Sequence, residues 1–207
     1  MDLLPKVEKA ELLPERILDE QFTQEKKQVN NDVMSFYDYS TEWWAEYKQL
    51  KQGFDKRPVK IYGEDEAGTF KPIFTFVKPL YGLKGIDSPF HASRFVSLIP
   101  YKRNEKPGGE KQEIWHSFNT FLSLGYGDAE DHAALLCSML LGFGMDAYVV
   151  LGYSTDGPHA WVLTRMITKG LGDKEIRRYR YWEALFGQRY DQSKTFFNNF
   201  FDFLRGS

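Results

Sequence analysis

Gly127-Asp128-Ala129-Glu130-Asp131-His132-Ala133, continuing through Leu141-Gly142-Phe143-Gly144 to Pro158-His159-Ala160-Trp161-Val162, is the stretch on which the fold turns. Asp128 stands just ahead of an apolar run, where a short acceptor side chain can take the amides that a first helical turn leaves open. The spacing predicts a helix to about Leu141, with Ala129, Ala133, Leu136 and Leu140 on one face and Gly142-Phe143-Gly144 as its stop. Asp146 to Tyr153 is rich in β-branched and aromatic residues and reads as a strand. After a turn at 154–158, His159 to Arg165 is a second strand with His159, Trp161 and Leu163 on one side. Met166 to Glu175 holds two glycines and reads as a hairpin loop. Ile176 to Ala184 is a third strand, with Tyr179, Tyr181 and Glu183 on one face.

Upstream, residues 1–35 are polar, and 1–54 reads as a helical N-terminal extension. Within it, Thr41 to Leu50 is the better helix, capped by Ser40 and ended by Gly53, with Trp43, Trp44, Tyr47 and Leu50 on one face. Val59–Tyr62 and Phe70–Val77 are expected to form a hairpin around Glu64-Asp65-Glu66-Ala67-Gly68. Pro72 points to an edge position in that hairpin. Ser88-Pro89 opens another helix, ended by Pro100. Lys111 to Leu124 reads as a helix with Ile114, Trp115, Phe118, Phe121 and Leu122 as its apolar stripe. Residues 193–207 hold the aromatic run Phe196 to Leu204 and read as a C-terminal helix, whose Gly206-Ser207 end is compatible with a cut from a longer chain.

Composition narrows the function classes. At 207 residues the chain is long enough for one sizeable core, and aromatics at 16% make that core bulky. The net charge of −2 gives no basic field for nucleic acid. The single cysteine, Cys137, excludes a disulfide framework and a Cys-based metal site. No apolar run reaches membrane-spanning length and no signal peptide is visible, so the expectation is a cytoplasmic protein without membrane insertion. Asp128, Asp131, His132 and His159 match no metal-binding spacing, so no metal and no cofactor are expected.

Four segments in order resemble a known family. Gly127 to Cys137 looks like the core motif of transglutaminase-like domains, whose third residue is usually a nucleophilic cysteine. Leu141 to Tyr148 resembles the segment that follows, Pro158 to Val162 the histidine motif, and Tyr181-Trp182-Glu183-Ala184 the acidic motif. Ser88 to Pro100 and Asp65 to Gly68 make the match closest to the transglutaminase-like domains of centrosomal and ciliary proteins. The resemblance runs over about residues 55–190, and the domain is placed at 55–192. It implies an α+β, papain-like core, with the helix bearing position 129 packed on an antiparallel sheet bearing 159 and 183.

The resemblance also assigns roles. A thiol at 129 would sit where a helix N-terminus favours thiolate. His159 would pair with it and carry the proton, and Glu183 would orient His159. Backbone amides near 129 would form an oxyanion hole, with Gln112 or Trp115 contributing and Trp161 lining the groove. Position 129, however, is Ala, which has neither nucleophile nor titratable proton. Cys137 is eight residues on, about 12 Å along the axis at a 1.5 Å rise, and is turned from the 129 face. It reads as a small buried hydrophobe.

Three readings stay open. One is a catalytically inactive module that binds a peptide or partner in centriole or cilium assembly, at the centrosome, centriole or ciliary base. Its implied partners are other centriolar or ciliary proteins and modified tubulin tails. The second is a cysteine peptidase or transglutaminase-type enzyme whose nucleophile has been replaced by Ala129. The third is a packing module with no groove ligand, in which His159 and Glu183 satisfy one another inside a core.

Overall fold

The computed structural model describes residues 15–56, 59–103, 113–154, 157–169 and 175–191. The expected C-terminal helix at 193–207 lies outside them. The chain divides into two units between Val59 and Lys60. Among the described residues, no helix is long and apolar enough to cross a membrane.

The first unit is built on α1 (Glu15–Leu50), one helix of 36 residues. It overturns the expected start at Ser40. The Ser40 hydroxyl donates to the Tyr37 carbonyl at 3.0 Å and Thr41 to the same oxygen at 2.8 Å. Both hydroxyls thus bond back to the preceding turn instead of capping. No Gly or Pro interrupts the chain from Glu15 to Leu50, so nothing breaks the helix at 40. Trp43 and Tyr47 stack at 5.0 Å, and Phe54, beyond the helix, closes on Tyr47 at 4.9 Å. Gly53 makes that reversal with φ +90°.

The second unit opens with a small sheet. β1 (Tyr62–Asp65) pairs antiparallel with β2 (Phe70–Pro72) and parallel with β3 (Ile114–Trp115). The hairpin is present but shifted. Asp65 forms its turn by accepting the Ala67 and Thr69 amides at 3.0 and 2.8 Å. Pro72 is on the edge strand, as a residue without an N–H requires. The chain then leaves strand geometry for a 3-10 turn, Ile73–Phe76, which buries Phe76. Ile114 and Trp115 are strand, not the expected start of a helix. Trp115 packs on Gly63, where a β-carbon would come within 2.8 Å of the indole. The helix that follows, α3 (Phe118–Leu124), starts one residue after Ser117, whose hydroxyl accepts the Thr120 amide.

α2 (Pro89–Ser97) begins where expected, with Ser88 accepting the His91 amide and Pro89 in the first turn. α4 (Ala129–Gly142) is the core helix. Every residue from Asp131 to Leu140 is buried, so it is enclosed on all sides and not on a single face. It packs on a four-stranded antiparallel sheet in the order β4 (Asp146–Ser154), β5 (Gly157–Lys169), β6 (Glu175–Glu183), β7 (Gln188–Asp191). The architecture is α+β, with helix packed on antiparallel sheet.

The core joins Ala133, Leu136 and Leu140 of α4 to Ala160 and Val162 of β5 and Trp182 of β6. Each fully buried valine or leucine among them contributes about 1.5–3 kcal/mol relative to exposure. Two sheet features differ from expectation. Met166, Ile167 and Thr168 are not loop, because they pair with Arg178, Arg177 and Ile176 and extend the hairpin. The fourth strand, β7, was not foreseen; its four residues are all exposed and carry no alternation to read.

Candidate functional site

Gly127 and Asp128 set the start of α4. The Asp128 carboxylate accepts the Asp131 amide at 3.2 Å, and the Asp131 carboxylate accepts the Asp128 amide at 3.3 Å, a reciprocal capping box. A β-carbon on Gly127 would fall 2.5 Å from Asp131 Oδ2 and 2.6 Å from the Phe121 ring, so the approach needs glycine. The segment that follows α2 is tied to the same point: Tyr101 bridges Gly127, and Lys102 donates its amide to Gly127 O at 2.8 Å. His132 is fully buried, with Nδ1 2.6 Å from Asp128 O and Nε2 2.9 Å from Ile99 O.

Ala129 is the first residue of α4 and is buried. Its methyl group makes no polar contact with any neighbour. His159 and Glu183 are brought together from β5 and β6, with Nε2 2.8 Å from Oε2 and both side chains largely buried. Glu183 Oε1 also accepts the Leu185 amide at 3.3 Å. A carboxylate on Nε2 holds the proton there, which leaves Nδ1 as the basic nitrogen. Trp161 meets the His159 ring edge-on at 4.8 Å. Along each strand these residues alternate with Ala160, Val162 and Trp182, which belong to the α4 core.

The remaining candidates separate. Trp115 is fully buried in the small sheet, against Phe76 at 5.5 Å, and among the described residues its indole N–H has no hydrogen-bond partner. Gln112 lies outside the described residues. Cys137 is buried two turns into α4, and burial pushes its thiol up to about 12. That thiol stays protonated and unreactive at neutral pH. Among the described residues, no group of three or more His, Cys, Asp or Glu gathers as a metal cage would.

Sequence reasoning missed a second histidine–carboxylate pair. His116 Nδ1 is 2.8 Å from Asp131 Oδ2, and the His116 amide donates to Asp131 Oδ1 at 3.0 Å. The hydrogen bond to Asp131 raises the His116 pKa. The two residues are 15 apart and on different elements, so no local pattern announces them. Asp128 is pushed up to about 9, first by burial and then by the charges of Asp131 and Glu130. Burial likewise raises Glu130. The first turn of α4 therefore carries a cap carboxyl, Asp128, raised to about 9, while Asp131 is tied to His116 through both its ring and its amide. The His159–Glu183 pair holds an imidazole against a carboxylate, and position 129, at the start of α4, supplies no atom that can attack.

Residues 113–203 match the family described as the CEP76 peptidase-like domain. The chain is 38% identical to the centrosomal protein of 76 kDa of Mus musculus over 188 residues, covering 90% of this chain and 27% of that protein. Identity to the Homo sapiens protein of the same name is 37% over 185 residues, 88% of this chain and 27% of that one. Protein CC2D2B of Homo sapiens is 37% identical over 105 residues, half of this chain and 7% of its own length. The chain thus spans about a quarter of the centrosomal relatives it matches. The match of residues 113–203 and these identities support a peptidase-like domain of the centrosomal CEP76 type.

Proposed function

We propose that this domain is a catalytically inactive, transglutaminase-like module that binds a peptide or protein partner at the centrosome. The observation that carries the reading is the pairing of His159 with Glu183 at 2.8 Å, together with Ala129 as the first residue of α4 where the resemblance expects the nucleophile. A base held in one tautomer without a nucleophile cannot start acyl transfer; loss of the nucleophile costs about 10⁶-fold in a well-studied protease. The family resemblance implies a groove for an extended chain at this pair, and such a groove serves binding without a thiol. The names of the centrosomal relatives support a place at the centrosome with other centrosomal proteins as partners, and the family resemblance adds centriolar or ciliary ones. Modified tubulin tails are the partner that the family resemblance adds.

The test is binding and placement. Fluorescent extended peptides, including a glutamylated tubulin-tail peptide, are titrated with the purified chain and with a His159→Trp variant. Saturable binding that the variant loses without a drop in melting temperature supports the reading. Absence of binding to every peptide removes the groove version and leaves a packing module. A tagged chain spread evenly through cells, with no focus on centrosomes, removes the proposed location.

A second reading is a thiol acyl-transfer enzyme in which cysteine stood at 129. The intact His159–Glu183 geometry favours it. Ala129→Cys that hydrolyses or transamidates a peptide supports this reading, and an inert variant counts against it.

A further inference from the structure

The β5–β6 hairpin runs past the end of α4, and that overhang carries a site unrelated to the His159–Glu183 frame. A groove of about 590 Å³ lies there, bordered by Gly144 and Met145 after α4 and by Asp191 of β7, over Thr164, Met166 and Arg178. The volume is in the range of ligand pockets. Strand alternation puts Arg178 and Arg180 on the Trp182 side of β6, the side facing α4, and Arg177 on the other.

The charges in this groove are unbalanced. Arg180 is held by Asp191 at 2.5 Å, and Arg165 by Asp146 at 2.6 Å. Arg178 has no ion-pair partner among the described residues and is exposed. The C-terminal carbonyls of α4 do not supply a counter-charge: Met139, Leu140 and Leu141 accept the amides of Phe143, Gly144 and Met145. Met166, paired with Arg178 across the hairpin, is 47% exposed and lines the groove together with Met145. Methionine adapts to side chains of varied shape, and arginine pairs with carboxylates in a fork.

We propose that this overhang groove binds an acidic peptide segment with an apolar side chain, its carboxylates on Arg178 and its apolar group on Met145 and Met166. The occupant is set by charge complementarity, since Arg178, without an ion pair among the described residues, stands beside an apolar floor. This goes beyond the reading of the His159–Glu183 groove, because it uses the far end of the sheet.

The test uses the full chain and a fluorescein-labelled peptide of glutamates around one leucine, with a lysine-for-glutamate peptide as control. Arg178→Glu is compared with Arg177→Glu, which makes the same change in net charge on the other side of the strand. The expected result is saturable binding of the acidic peptide only, weakened at least about tenfold by Arg178→Glu and less than about twofold by Arg177→Glu. A tenfold loss is about 1.4 kcal/mol, the size of one charge-assisted contact. Both substitutions are at exposed positions, and melting curves check that the fold stays intact in each. Equal losses in the two variants mean diffuse electrostatic attraction and overturn the proposal. So does no effect of Arg178→Glu, equal binding of the lysine peptide, or no saturable binding at all.

Discussion

Asp131 accepts from His116 twice, from its ring at 2.8 Å and its amide at 3.0 Å, while it closes the capping box on Asp128. One carboxylate therefore joins the small sheet to the helix that opens the candidate site. Asp131→Asn keeps the shape and loses the charge. It is expected to cost about 1.5–3 kcal/mol, the range for buried hydrogen bonds to a charged group. Urea unfolding measures it, and a cost below about 0.5 kcal/mol would mean that Asp131 is not a joint between the two parts.

Asp128 makes the stability of the domain depend on pH. Its carboxyl titrates at about 9 in the folded chain against 3.8 as the ordinary value. The folded state thus keeps a proton that the unfolded chain has released, so stability falls as pH rises through this interval. Asp128→Asn caps a helix as well as aspartate and cannot ionise. Melting temperatures from pH 5 to 9 are expected to decline less in the variant. His116 adds a slope of the same sign: its raised pKa gives a contribution complete below pH 6.5 and lost as pH passes its folded value. An unchanged slope in Asp128→Asn would contradict the assignment.

Gly127 is irreplaceable for a reason of space, not of backbone angle. Gly127→Ala drives a methyl into Asp131 and Phe121. Overpacking of this kind costs about 1–3 kcal/mol. Thermal or urea unfolding checks it, and a neutral substitution would mean that the approach relaxes freely.

Cys137 offers a clean probe of the core because it is the chain's single cysteine. With its thiol at about 12 and its side chain buried, the folded protein is expected to resist a maleimide at pH 7.5. In urea the same thiol labels fully. Rapid labelling of the folded chain would show that α4 opens locally.

Much of the site was legible because its signals are local. Asp128 ahead of Ala129-Glu130-Asp131, and Ser88 ahead of Pro89, are caps written in short range, and both helices begin there. His159 and Glu183 fall on strands whose alternation is plain. What was not legible depends on contacts far along the chain. Ile114 and Trp115 suit a helical stripe as well as a strand, and only the parallel pairing with Glu64 and Asp65 decides between them. Ser40 has the chemistry of a cap, yet a helix already running past it turns its hydroxyl to Tyr37. β7 has no buried residue to reveal it, and His116 meets Asp131 only after α3 has folded back on α4.

The proposed function rests on a thiol frame, Ala129 with His159 and Glu183, that lacks only its nucleophile. Its most direct measurement is the pH profile of iodoacetamide alkylation of the Ala129→Cys variant, with Cys137 shielded in the core. The account predicts alkylation at a pH well under the ordinary thiol value of about 8.5, and a return toward that value when His159→Ala or Glu183→Gln is added. A profile that stays ordinary, or that ignores both second substitutions, would contradict it.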